Sequence, residues 1–141
     1  MTSSRGSVTH QLRKEGHRLT KIRQALVDIF TAHHLPLTAY EIQGLLLEQG
    51  LSSNKTTIYR ELEFLLGKDV ISQVQFQDRV ARYELKTDHH HHHLICTSCS
   101  VVQDVAFDDN LEKHAALISA ATDFTITSHS LEFYGHCARC K

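Results

Sequence analysis

Two Cys-x-x-Cys pairs, Cys96/Cys99 and Cys137/Cys140, constrain this 141-residue chain more than any other feature. A two-residue spacer lets both thiolates of a pair meet one ion. Two pairs complete a tetrahedral four-sulfur site, with zinc about 2.3 Å from each sulfur. The 37 residues between the pairs must leave the site and return to it, as a strand–helix–strand unit does. A site closed in this way is structural and offers no position to a substrate. Two other readings compete with it, a disulfide framework and a redox dithiol. In the cytoplasm paired thiols hold metal more often than they form disulfides. A reactive dithiol needs a helix N-terminus after its first cysteine, whereas strand-like residues surround Cys96.

The rest of the composition is that of a globular chain, 41% apolar and 22% charged. No stretch approaches the roughly 20 apolar residues that span a bilayer, and the polar stretch Met1 to Ser7 does not read as a signal peptide. No membrane association and a cytoplasmic location are therefore expected. The net charge of −1 conceals an asymmetry. Residues 1–27 carry Arg5, Arg13, Lys14, Arg18, Lys21 and Arg23 against Glu15 alone, whereas from residue 88 onward seven acids face three bases. A basic front on an acidic body suits a polyanion at one end, although a solvated basic helix accounts for the same charges.

Apolar periodicity divides the chain into two parts. Helices are expected over residues 9–15, ended by Gly16; over 20–33, burying Ile22, Leu26, Ile29 and Phe30; and from Thr38, where Glu41 completes a capping box ahead of Ile42, Leu45 and Leu46. A fourth helix runs from Ser53 or Asn54 to Gly67, with Ile58, Leu62, Leu65 and Leu66 inward. The period then shortens to two over 70–77 and 80–86, around a turn at Asp78 and Arg79, as in a β-hairpin. A helix pair followed by a hairpin is the layout of a winged helix, and of some other small α+β domains. Thr87–Asp88 is the expected hinge. Beyond it, strands are expected over 91–95 and 101–107, a helix over 109–121 opened by Asp109 with Glu112 three residues on, and a strand over 124–134. The expected architecture is α+β, with residues 1–86 as one domain, 87–88 as hinge and 89–141 as a small metal-binding domain. A piece that small commonly needs a metal or a partner chain to sustain a core.

Five histidines, His89 to His93, lead into the first cysteine pair. On a strand, His91 and His93 point one way while His90 and His92 point the other, so one strand can feed two metal sites. Glu84, Glu112, His129 and His34 are further candidate ligands. At the start of the fourth helix, Thr56, Tyr59 and Arg60 lie on the side away from Ile58 and Leu62, where a recognition helix presents side chains to base edges. An ordinary amphipathic helix would look the same. No His-Glu-x-x-His, phosphate-binding loop or Gly-x-Ser-x-Gly occurs, so the chain is not expected to be an enzyme.

The order of motifs resembles one known family. Gly16-His-Arg-Leu-Thr-Lys-Ile-Arg23, Thr57-Ile-Tyr-Arg60, Tyr83-Glu-Leu85, His89 to Cys99, and Ser128 through Tyr134-Gly-His-Cys137 resemble the ferric uptake regulator (Fur) superfamily of metal-dependent transcriptional regulators. The resemblance runs from about residue 10 to 141. It implies a homodimer with an N-terminal winged-helix DNA-binding domain and a C-terminal α/β dimerisation domain. Cys96, Cys99, Cys137 and Cys140 match structural zinc ligands. Glu84, His91 and His93 match a regulatory site between the domains, and His90, His92, Glu112 and His129 a second site. Tyr59 and Arg60, beside Thr56, match major-groove contacts, and Arg18 falls where the family has a basic residue reaching the minor groove.

The chain departs from the family pattern in places. The fourth regulatory ligand is a histidine just before the third helix, but Pro36 stands nearest that place, which leaves His34 or His33 as substitutes. His92 replaces the aspartate common in iron-sensing members, as in zinc-sensing relatives. Glu84 stands where peroxide sensors carry aspartate. One extra residue between Cys99 and Asp109 shifts the match around Asp104. The function implied is a repressor of metal-uptake genes that occupies a two-fold symmetric, A·T-rich operator when loaded. Structural Zn(2+) is joined by regulatory Fe(2+) or Zn(2+), with Mn(2+) as a further candidate. A zinc-sensing regulator is the close alternative, and a peroxide sensor or a histidine-rich zinc buffer the more distant ones.

Overall fold

Thr20, Thr38 and Asn54 each set the start of a helix in the same way. In each, a side-chain oxygen accepts the backbone N–H three residues on, at 3.2, 3.2 and 2.8 Å, satisfying a donor that the first helical turn leaves unbonded. The computed structural model describes residues 5–87, 90–106 and 110–141. These residues form two units, Met1–Asp88 and His89–Lys141. Asp88 of the expected hinge, His89, and Asp109, the expected opener of the last helix, lie outside the described residues.

The first unit contains α1 (Arg5–Lys14), α2 (Lys21–Ala32), β1 (Leu37–Thr38), α3 (Ala39–Glu48), α4 (Lys55–Gly67), β2 (Ile71–Gln75) and β3 (Ala81–Leu85). The capping box at Thr38 is complete, since the Glu41 carboxylate accepts from the Thr38 backbone N–H at 2.7 Å. Gly16 and Gly50 follow α1 and α3 with φ of +84° and +74°, the left-handed turn that favours glycine after a helix. Leu12, Leu26, Phe30, Ile42, Leu46, Ile58, Leu62 and Leu65 are buried in one continuous core. Burial of each contributes about 1.5–3 kcal/mol.

β2 and β3 pair antiparallel, from Ile71 opposite Leu85 to Gln75 opposite Ala81. The hairpin turn is wider than the expected two residues. The Phe76 carbonyl accepts from Arg79 N–H at 3.0 Å, and Arg79 adopts a φ of +60°. Asp78 braces the turn with its carboxylate on Arg82 at 2.7 Å. β1, which periodicity did not indicate, adds Leu37 and Thr38 to the far side of β3, for a sheet order β1-β3-β2.

The second unit holds β4 (His92–Cys96), β5 (Val102–Val105), α5 (Leu111–Thr122) and β6 (Glu132–Gly135). β4 is central, antiparallel to β5 and parallel to β6. The last strand is much shorter than the expected 124–134, because only Glu132–Gly135 reaches a partner, from His93↔Glu132 to Cys96↔Gly135. The helix start also differs from expectation. Asn110 precedes α5 in a left-handed conformation, without a side-chain cap.

Candidate metal centre and nucleic-acid face

The parallel pairing of β4 with β6 brings the two cysteine pairs together. Each strand runs into its pair, and Thr97 N–H donates to the Gly135 carbonyl at 2.9 Å to continue the ladder. All four sulfurs lie within 4.8 Å of one another. A tetrahedron with ligands about 2.3 Å from zinc has edges of about 3.8 Å, and Cys99 Sγ stands 3.7 Å from Cys137 Sγ. That spacing is far beyond a disulfide bond of about 2.05 Å, and all four thiols are free. The four cysteines thus fit a zinc ion by number, donor type and spacing.

The backbone prepares two of these thiols for metal. N–H groups of Cys137 and Cys99 point at Cys96 and lower its pKa to about 5; the first of these contacts is 3.4 Å long. Cys137 is lowered by the Arg139 N–H. Cys140 is pushed up to about 12, because its proton is shared with the sulfurs of Cys137, Cys99 and Cys96. The cluster therefore divides between sulfurs that shed their protons readily and one that keeps its own until a cation takes its place.

The histidines divide by face, as strand alternation requires. The His91 and His93 rings meet edge to face at 5.1 Å, and those of His90 and His92 stand 5.9 Å apart. Around His90 gather His129, at 5.6 Å between ring centres, and Glu112, whose carboxylate is 3.0 Å from His90 Nε2. His92 Nδ1–H donates to the Leu131 carbonyl, 3.2 Å away. His93 is buried, with Asp104 Oδ1 3.6 Å from its Nε2. Sequence reasoning did not assign Asp104 a role. The β4–β5 register, His93 opposite Asp104, was the missing signal.

In the first unit, Glu84 is buried on β3, opposite Ser72. His33 and His34 are exposed after α2, and His34 has no side-chain partner among the described residues. Thr56, Tyr59 and Arg60 are exposed in the first turns of α4, while Ile58 and Leu62 anchor its other side. Arg18 is exposed in the segment between α1 and α2.

Comparison with known proteins agrees with this arrangement. The sequence profile described as the ferric uptake regulator family matches residues 14–134. The ferric uptake regulation protein of Bacillus subtilis is 33% identical, over 94% of this chain and 91% of its own. The peroxide-responsive repressor PerR of Staphylococcus epidermidis is 30% identical, over 100% of this chain and 97% of its own. Among solved structures, the ferric uptake regulator of Vibrio cholerae superposes with a TM-score of 0.73 at 27% identity, covering 92% of this chain and 99% of that one. The chain therefore belongs to the ferric uptake regulator family of metal-responsive transcriptional regulators.

Proposed function

We propose that this protein is a metal-dependent repressor that binds operator DNA as a homodimer, with ferrous iron as its signal. The observation that carries the reading is where the candidate donors fall in the chain, on either side of the boundary between the two units. Glu84 stands near the end of β3 in the first, and His91 and His93 open the second. Donors from both units that share one ion limit the angle between them, and so the spacing of the two α4 helices in a dimer. Metal then favours the DNA-competent arrangement by its differential affinity for it. Asp104 beside His93 supplies a second carboxylate, and mixed imidazole and carboxylate donors suit ferrous iron or manganese. His34 completes this set in the proposal.

Thr56, Tyr59 and Arg60 on α4 read base edges, the first unit serves as a winged helix, and Arg18 enters the minor groove. The four cysteines hold structural zinc. The second unit forms the dimer, in keeping with α5, which buries none of its residues and exposes Leu117 and Ile118. Zinc as the signal is the second reading. It is favoured by the cluster of His90, His92, His129 and Glu112, three imidazoles to one carboxylate. DNA binding titrated with Fe(II), Mn(II) and Zn(II) at buffered free concentrations tests both. A tenfold or greater rise in affinity with Fe(II) is expected, a response to Zn(II) alone selects the second reading, and identical binding without metal rejects the proposal.

A further inference from the structure

The segment between α1 and α2 is tied to α4 most extensively through the Arg23 side chain, with a Glu15–Lys68 ion pair of 3.0 Å at its start. Arg23 on α2 spends every guanidinium nitrogen on a bond. Nε and Nη2 donate to the two oxygens of Glu61 on α4, at 2.8 and 3.1 Å. Nη1 donates to the backbone carbonyl of Arg18 at 2.8 Å. The guanidinium also lies 3.7 Å from the centre of the Phe64 ring, one turn along α4 from Arg60. His17 meets the same ring edge to face at 5.1 Å. The Arg23–Glu61 pair is largely shielded, with side chains 14% and 16% exposed. A bidentate, stacked arginine in such a setting fixes geometry in a way that lysine cannot reproduce.

The residues at the ends of this connection are the ones that face outward. Arg18 and Arg60 are exposed, and their neighbours on the connection, the Arg18 carbonyl and Glu61, are held. We infer that Arg23 is a positioning residue for DNA recognition: it sets the backbone from which the Arg18 side chain projects at a fixed distance from Tyr59 and Arg60, so that one groove is read in register with the other. This rests on the DNA-binding role proposed above. Without the clamp, Arg18 would still carry its charge but would have to be ordered on the DNA at an entropic cost.

The test uses the full-length, zinc-containing protein with Mn(II), and a duplex selected from a randomised library by the wild type. At the base pairs read by Arg18, A·T is replaced by I·C or by G·C. Only G·C places an amino group in the minor groove. Wild type is expected to bind A·T and I·C alike and G·C about tenfold more weakly. Arg18→Ala should lose that discrimination. Arg23→Lys should lose it too, although Arg18 is present, and the double variant should be no more than about twofold weaker than either single one. Glu61→Gln is expected to show a partial loss, and it carries the comparison if Arg23→Lys melts early or loses zinc. An unchanged A·T to G·C ratio in these variants, or losses that multiply in the double variant, overturns the clamp alone. Wild type that binds no duplex overturns the DNA-binding reading itself.

Discussion

Cys96 and Cys140 share one cluster yet hold their protons very differently, at about 5 and about 12. At pH 7 Cys96 is already a thiolate and Cys140 a thiol. The same shift has a sign for folding of the metal-free chain. A lowered Cys96 stabilises fully above the ordinary thiol value of 9.0, and that contribution fades on acidification until it is lost below about 5. The cysteines were legible in the sequence because their chemistry is local, two thiols two residues apart. Asp104 was not, because its place beside His93 is set by strand register, which depends on a non-local pairing.

Helix starts carry their own instructions, and so those of α2, α3 and α4 could be read in advance. Thr38 and Glu41 bond each other's backbone reciprocally. Thr38→Ala should cost about 1 kcal/mol in urea unfolding, and Thr38→Ala with Glu41→Ala less than the sum of the single losses. Additive losses would mean that the two bonds act independently. Elements that exist only through a partner were harder to read. β1 is two residues long and is a strand solely because β3 lies alongside. Residues 124–134 have strand-like composition, yet only Glu132–Gly135 finds β4. The start of α5 misled for a different reason: Asn110 enters it through a left-handed conformation rather than a side-chain cap.

The two units differ in what holds them together. Every residue of the hydrophobic core cluster lies between Val8 and Leu85, whereas among the described residues of the second unit the buried groups are Cys96, His92 and His93. Its apolar side chains Leu117, Ile118, Phe124 and Phe133 are exposed. A structural zinc ion contributes on the order of 10 kcal/mol or more, as much as the whole stability of a small domain. Chelation under reducing conditions should therefore abolish hydrogen-exchange protection in β4, β5 and β6 while α2, α3 and α4 keep theirs. Uniform loss, or none, would place the stability of the second unit elsewhere. The exposed apolar residues supply the other half of the expectation. Leu117→Asp puts a charge on a face that a second copy would cover, without disturbing any buried side chain of α5. Sedimentation velocity at micromolar concentration should show the wild type as a dimer and this variant shifted toward monomer, with four-sulfur zinc content retained. A variant that stays dimeric moves the interface off α5, and a wild type that sediments as a monomer removes the paired reading of two half-sites on which the proposed repression depends.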